Sequence, residues 1–358
     1  MIYTIYCIYH YNKSMSSTDS FQFLNKSDKN IRYKENQEEL YDLSYHSLSI
    51  FPPVPKNYWL KIKYLFLDNN SFTTIGDLSN LKNLLVLDVS NCQLKKLPKL
   101  PYSLVELNIA NNDIKNIKHL SSLHKLERLN CSKNKITELV PIHSLINLII
   151  TENQLKYIPS FNNLVLLNCF DNMVETIAPM PKLYNLVCDK NIITRIDNFP
   201  SLEELYCTHN KIVKIKNTPK LKNLVCDYNN IKKIHGFPKL RELNCVHNEI
   251  EHIEPMNNLE LLFCGNNQLD DIYNFSNLKE LNCVCNRIVN IKNIPQINTL
   301  VCYNNPVKYI EYFDELKELI INKSHVFISK KYLSQINYIK EVVDDVNHDV
   351  NKVLIYFD

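Results

Sequence analysis

Residues 183–196 read LYNLVCDKNIITRI, and residues 202–215, nineteen places further on, read LEELYCTHNKIVKI. Leucine holds the first and fourth places of this unit, cysteine the sixth, asparagine the ninth, and isoleucine the eleventh and fourteenth. The spacing is unbroken over a long stretch: Cys169, Cys188, Cys207, Cys226, Cys245, Cys264, Cys283 and Cys302 are each nineteen residues apart. A fixed period of this length marks a chain built by stacking copies of one small unit. The opening Leu-x-x-Leu-x-Cys begins with strand-like alternation, so the fourth and sixth residues point inward and the third and fifth outward. One such unit cannot bury its own apolar row, so stability must come from its neighbours.

Working outward, units start at Leu164, Leu145, Leu126, Leu104, Leu84 and Ile62 in one direction, and at Leu221, Leu240, Leu259, Leu278 and Ile297 in the other. That makes thirteen clear repeats over residues 62–310. The ninth place is Asn in twelve of them and Cys92 in the other. An Asn amide both donates and accepts, which suits it to satisfy backbone groups where the chain leaves each strand. Pro181, Pro200, Pro219, Pro238 and Pro295 share the eighteenth place, and Pro disfavours a helix there, so the return path is expected to be extended or turn-like.

The unit LxxLxCxxNxIxxI resembles the leucine-rich repeat family, with Cys in place of the third apolar residue. The segment LPKLPYSLVELNIANNDI over 97–114 is similar to the short bacterial-effector type of repeat. The resemblance implies an α/β-type repeat solenoid with a curved parallel sheet on the concave side, an extended convex side with little helix, and a protein-binding role. The domain reading is a flexible leader over 1–37, a solenoid over 38–329 with worn repeats at both ends, and an amphipathic helix over 330–358. Tyr332, Ile336, Ile339, Val343, Val346, Val350, Val353 and Phe357 alternate steps of four and three, and Ser329 is available as N-cap, which predicts a helical C-terminal cap. A coiled-coil seam for self-association is the alternative; a monomer is expected.

Composition narrows the function. The 358 residues are 45% hydrophobic, and a net charge of +3 is too small to argue for nucleic acid or an anionic membrane. Three Gly and two Ala against abundant Asn, Ile, Lys and Tyr are the bias of an AT-rich genome, such as that of a large DNA virus or a protist. Nine cysteines fall in the inward sixth place, where a thiol behaves as a small hydrophobe. A column of equivalent thiols offers no natural pairing, so a reduced, cytoplasmic protein is expected. Cys207 with His209, and Cys245 with His247, are tempting as metal ligands, but each Cys belongs to the inward row and each His to the outward eighth place. No phosphate loop, nucleophile elbow or metalloprotease helix occurs. No enzymatic activity, cofactor or metal is expected.

The concave face carries the remaining information. Its third, fifth, seventh and eighth places hold ten acids, among them Asp189, Glu204, Asp227 and Glu242, against three bases. Phe170, Tyr206, Tyr228 and Phe263 lie between the acids, with His209 and His247 flanking Tyr228. Aromatic anchors within a charged rim are the make-up of a protein-binding surface, so these ten residues form the candidate site and a basic protein the expected partner. An inhibitor of an enzyme with a basic active site, and a structural component of a particle, are the alternatives. The basic flank around Lys211, Lys214, Lys232 and Lys233 is the other candidate surface.

Overall fold

The computed structural model describes residues 39–52, 56, 59–311, 313–322, 327–328 and 338–342. The chain divides into two compact units, Met1–Asn191 and Ile192–Asp358. Each is a parallel-stranded solenoid.

In the first unit eight short strands follow one another in chain order: Leu40–Asp42, Tyr64–Phe66, Val86–Asp88, Glu106–Asn108, Arg128–Asn130, Asn147–Ile149, Leu166–Asn168 and Asn185–Val187. The second has a row of its own: Glu204–Tyr206, Asn223–Val225, Glu242–Asn244, Leu261–Phe263, Glu280–Asn282, Thr299–Val301, Glu318–Asn322 and Tyr338–Val342. Pairing is parallel and in register, so that Glu204, Asn223, Glu242, Leu261 and Glu280 occupy one line across successive turns.

The inward places are sealed. Leu205, Cys207, Leu224, Cys226 and Cys245 have no accessible surface, and neither do Ile193 and Ile212 at the eleventh place. Beneath them, Phe161, Phe199 and Phe275 are among the largest side chains fully out of water. The return path is extended, as the prolines require. Tyr157–Ile158 pairs with Thr176–Ile177 in the first unit, and Arg195–Asp197 pairs with Lys214–Lys216 in the second. A 3₁₀ turn, Lys118–Ser122, interrupts the return path of the first unit.

The ninth-place asparagines form the expected ladder. Asn191 donates to the carbonyls of Cys169, Cys188 and Asp189 at 3.0–3.1 Å, and its oxygen accepts the N–H of Val174. Where Cys92 replaces Asn, its Sγ lies 3.5 Å from the carbonyls of Leu67 and Ser90, a weaker version of the same bonds. The worn first turn keeps the geometry, with His46 Nδ1 2.6 Å from the Ser44 carbonyl.

Two expectations need correction or restriction. Of the predicted C-terminal helix, the five described residues Tyr338–Val342 are a strand paired in parallel with Glu318–Asn322. A waiting strand edge overrides a local helical stripe, because each added strand satisfies a row of backbone groups. The rest of that stripe, its N-cap Ser329 and the leader over 1–37 lie outside the described residues.

Candidate partner-binding face

The ten candidate residues divide between the units, with Phe170 and Asp189 in the first and the other eight in the second. In the first unit the Phe170 ring is covered by Lys190, whose Nζ stands 5.0 Å from its centroid, a cation–π contact. Asp189 is buried. Deeper in this unit Glu106, only 2% exposed, is paired through Oε2 with Arg128 Nε at 2.7 Å.

In the second unit alternation puts the third and fifth places of every turn on the outward side of the row, and the parallel register stacks like upon like. The third place reads Glu204, Asn223, Glu242, Leu261, Glu280, Thr299 and Glu318. The four glutamates are half-buried and fall on every second turn. With strands about 4.8 Å apart, their spacing is about 10 Å. From Glu204 to Glu318 no Lys or Arg stands in the third, fifth, seventh or eighth place. Burial, and the nearby Glu318 carboxylate, push the Glu280 carboxyl above its usual range.

The aromatic members are placed differently from the sequence expectation. Tyr206 and Phe263, at the fifth place, are each only 7% exposed, and Asp227 is also buried. Each ring has the equivalent residue of the next turn directly beside it in register. Tyr206 follows this pattern with Val225, Asn244 and Phe263 in one register line. Asp227 is held by its own scaffold, its Oδ1 accepting the Val246 N–H at 2.7 Å. Counting every third-, fifth-, seventh- and eighth-place acid as solvent-facing charge therefore overstates the field of this face. Its accessible acidity is concentrated in the third-place glutamates.

The eighth place brings three of the candidate residues together, with His209 and His247 on either side of Tyr228 as expected. His209, Tyr228 and His247 form a continuous ring stack, with centroids 4.4 Å apart at each step and interplanar angles of 23° and 19°. The stack uses the ring faces internally, so the ring edges remain to meet a partner; Tyr228 keeps 42% of its surface exposed. Burial pushes the His247 imidazole down, favouring the uncharged ring. The stack arises because the eighth place of each repeat is left-handed: its thirteen residues from Asn69 to Asn304 all have φ between 50° and 56°, and none of them is glycine. Asn tolerates this region better than most residues. The doublets Asn69-Asn70, Asn111-Asn112, Asn266-Asn267 and Asn304-Asn305 were the available signal. Cys207 is fully buried while the exposed His209 stacks on Tyr228, so this pair does not converge. Among the described residues no group of three or more His, Cys, Asp or Glu could hold a metal ion. No helix among them is long and apolar enough to cross a membrane.

Registered parallel strands, an Asn ladder and an extended return path define a leucine-rich repeat solenoid. A model of the family described as "Leucine Rich repeats (2 copies)" matches residues 103–142. Chicken lumican is 34% identical over 125 residues, which cover 32% of this chain and 36% of lumican's length. Among solved structures, a leucine-rich repeat protein of Leptospira interrogans superposes with a TM-score of 0.61 at 21% identity, covering 75% of this chain and 78% of that one. The leucine-rich effector protein YopM of Yersinia pestis gives a TM-score of 0.60 at 25% identity, covering 73% and 76%.

Proposed function

We propose that the chain is a non-enzymatic interaction module whose second unit binds a basic protein through the outward face of its strand row. The observation that carries this reading is the third-place row of Glu204, Glu242, Glu280 and Glu318 on a face with no Lys or Arg from the first to the last of them. Burial, with the nearby Glu318 carboxylate, raises the proton affinity of Glu280, and a cationic partner offsets that cost of holding its charge. Their fields add at the surface and speed encounter with such a partner. The exposed edges of the His209–Tyr228–His247 stack supply area to desolvate on contact. The YopM and Leptospira folds support an interaction role in general terms.

The test is affinity capture by the wild-type chain beside a Glu204→Lys, Glu242→Lys variant, followed by association kinetics with the protein captured. Association about tenfold or more slower in the variant, with a flatter salt dependence, is expected. Unchanged capture and kinetics in a variant that melts like the wild type would place binding elsewhere.

A further inference from the structure

The strand Tyr157–Ile158, on the return path of the first unit, is paired on one side only. Toward the following turn, Ile158 C=O accepts the Ala178 N–H and Lys156 C=O accepts the Glu175 N–H, both at 2.9 Å. In a parallel ladder alternate residues bond to the same neighbour, so Tyr157, standing between these two, turns its own N–H and C=O toward the preceding turn. No partner meets them there, and residues 137–140 likewise have no backbone hydrogen bond among the described residues. The two turns part just at this point, since Gln154 N–H still reaches Ile136 C=O at 3.0 Å. Between them opens a cleft of about 500 Å³, lined by Glu138 and Leu139 on one wall and by Lys156, Tyr157 and Met173 on the other. Leu139 stands at the fourteenth place, where Ile117, Ile158 and Ile177 of the neighbouring turns are at most 6% exposed, yet it is only half-buried. Tyr157 and Met173 are 52% and 43% exposed, so the cleft has an apolar rim open to solvent.

We propose that this cleft receives an extended segment of a partner protein, which adds as a strand along the open edge of Tyr157–Ile158 and presents an acidic side chain to Lys156. The unpaired N–H and C=O of Tyr157 are the pair of groups that an added strand engages, and residues 137–140 offer further unsatisfied groups across the cleft. Charge selects the side chain. Glu138 is held by Lys118 at 2.5 Å, whereas Lys156 is in no ion pair among the described residues, even with Glu175 at the same twelfth place of the next turn. The Tyr157 ring and the adaptable Met173 thioether give apolar side chains of the segment a surface to cover. The cleft lies wholly in the first unit and does not depend on the protein-binding proposal for the second.

The test is selection of random displayed peptides of about six residues, an ordinary strand length, on the wild-type chain with counter-selection on a Tyr157→Pro variant. Proline suits the first residue of an edge strand, so this change removes the N–H while the variant should melt like the wild type. Selected peptides are expected to carry an acidic residue. Methylation of their main-chain amides should weaken binding by at least about tenfold, since it removes the donor for Tyr157 C=O without altering a side chain. Tyr157→Pro should bind at least about fivefold more weakly than Tyr157→Thr, which loses the same ring but keeps the N–H. Lys156→Gln should weaken binding by about two- to fivefold, the loss of an exposed ion pair. The Glu204→Lys, Glu242→Lys variant should bind these peptides as the wild type does, which keeps this proposal and the previous one separately falsifiable. The proposal is overturned if no peptide is enriched over the proline variant, if selected peptides tolerate main-chain methylation, or if they carry lysine in place of the acid. Should the proline variant fail to fold, the methylated peptides decide alone. A wild-type dimer that Tyr157→Pro separates would also overturn it, because the edge would then belong to a second copy of the chain.

Discussion

The side-chain oxygen of Asn229 accepts the backbone N–H of Ile212, seventeen residues earlier, at 2.9 Å. The same side chain donates to the carbonyls of Cys207, Cys226 and Asp227 at 2.9–3.1 Å. One amide thus joins two turns and satisfies backbone groups that water cannot reach. Asn229→Ala should cost about 1–3 kcal/mol, the penalty of leaving buried polar groups unpaired. The neighbouring Asn230 is exposed and reaches only Glu249 Oε1 at 3.2 Å, so Asn230→Ala should stay within about 0.5 kcal/mol. Chemical denaturation of the two variants checks the contrast; equal effects would mean the ladder is not what holds the turns.

Thr218 stands where other turns place Phe199, Phe237 and Phe275. It is 2% exposed, and its hydroxyl has no hydrogen-bond partner among the described residues. Thr218→Val keeps the shape and removes the stranded hydroxyl, so it should stabilise the protein by about 1 kcal/mol. Thr218→Ser keeps the hydroxyl and should not. A melting temperature unchanged or lowered by valine would show that the hydroxyl is satisfied.

Thiol chemistry should separate the cysteines. The nine sixth-place thiols are buried, and burial pushes Cys302 up to about 12 and Cys188 and Cys245 well above the ordinary thiol range. Cys285 is half-buried at an eighth place, beside Asn304 Nδ2 at 3.5 Å. A maleimide added to the folded protein should modify Cys285 first and the inward nine only on unfolding, as mass spectrometry of the labelled peptides would reveal. Early labelling of Cys188 would contradict the inward assignment.

Asp88 gives the fold a pH signature. Burial pushes its carboxyl up, against the opposing effect of bonds from the Ser90 N–H and hydroxyl and from Asn108 Nδ2. The folded protein therefore binds this proton more tightly than the unfolded chain. The contribution of Asp88 to stability falls as pH rises from the ordinary carboxylate value through the raised folded one, and above that window the burial cost is fully present. Asp88→Asn should flatten the slope of stability against pH in that range. Denaturation curves at a series of mildly acidic pH values check this, and an unchanged slope would assign the effect to other carboxylates.

Tyr206 and Tyr228 should part company. Tyr206 is packed, so Tyr206→Ala should destabilise by about 2–4 kcal/mol. Tyr228 is exposed and stacked between two imidazoles, and Tyr228→Ala should cost about 1 kcal/mol. Similar melting temperatures for the two variants would contradict the burial difference. Only Tyr228 is a fair probe of binding, because its loss leaves the frame standing.

The repeat unit, the inward cysteines, the Asn ladder and the extended return path were all legible because each is a periodic demand of backbone geometry. Tyr206, Phe263 and Asp227 were misjudged because alternation tells which face a residue points to, while its exposure depends on the side chains of turns nineteen residues away. The strand Tyr338–Val342 was missed for a related reason: its partner Glu318–Asn322 lies on the previous turn, beyond the reach of a local pattern. The basic flank around Lys211, Lys214, Lys232 and Lys233 was legible from its run of lysines, although the small net charge averages it away.

The left-handed eighth places set the backbone thirteen times over, yet they hold Asn, Lys, Glu, Asp, His, Tyr and Cys. Conformation there is dictated and identity is left open. Such positions work like movable type in a fixed frame: each character can be exchanged without resetting its neighbours, and all are presented at one pitch. Novelty in recognition could enter this protein one letter at a time, and His209, Tyr228 and His247 are three such letters set side by side.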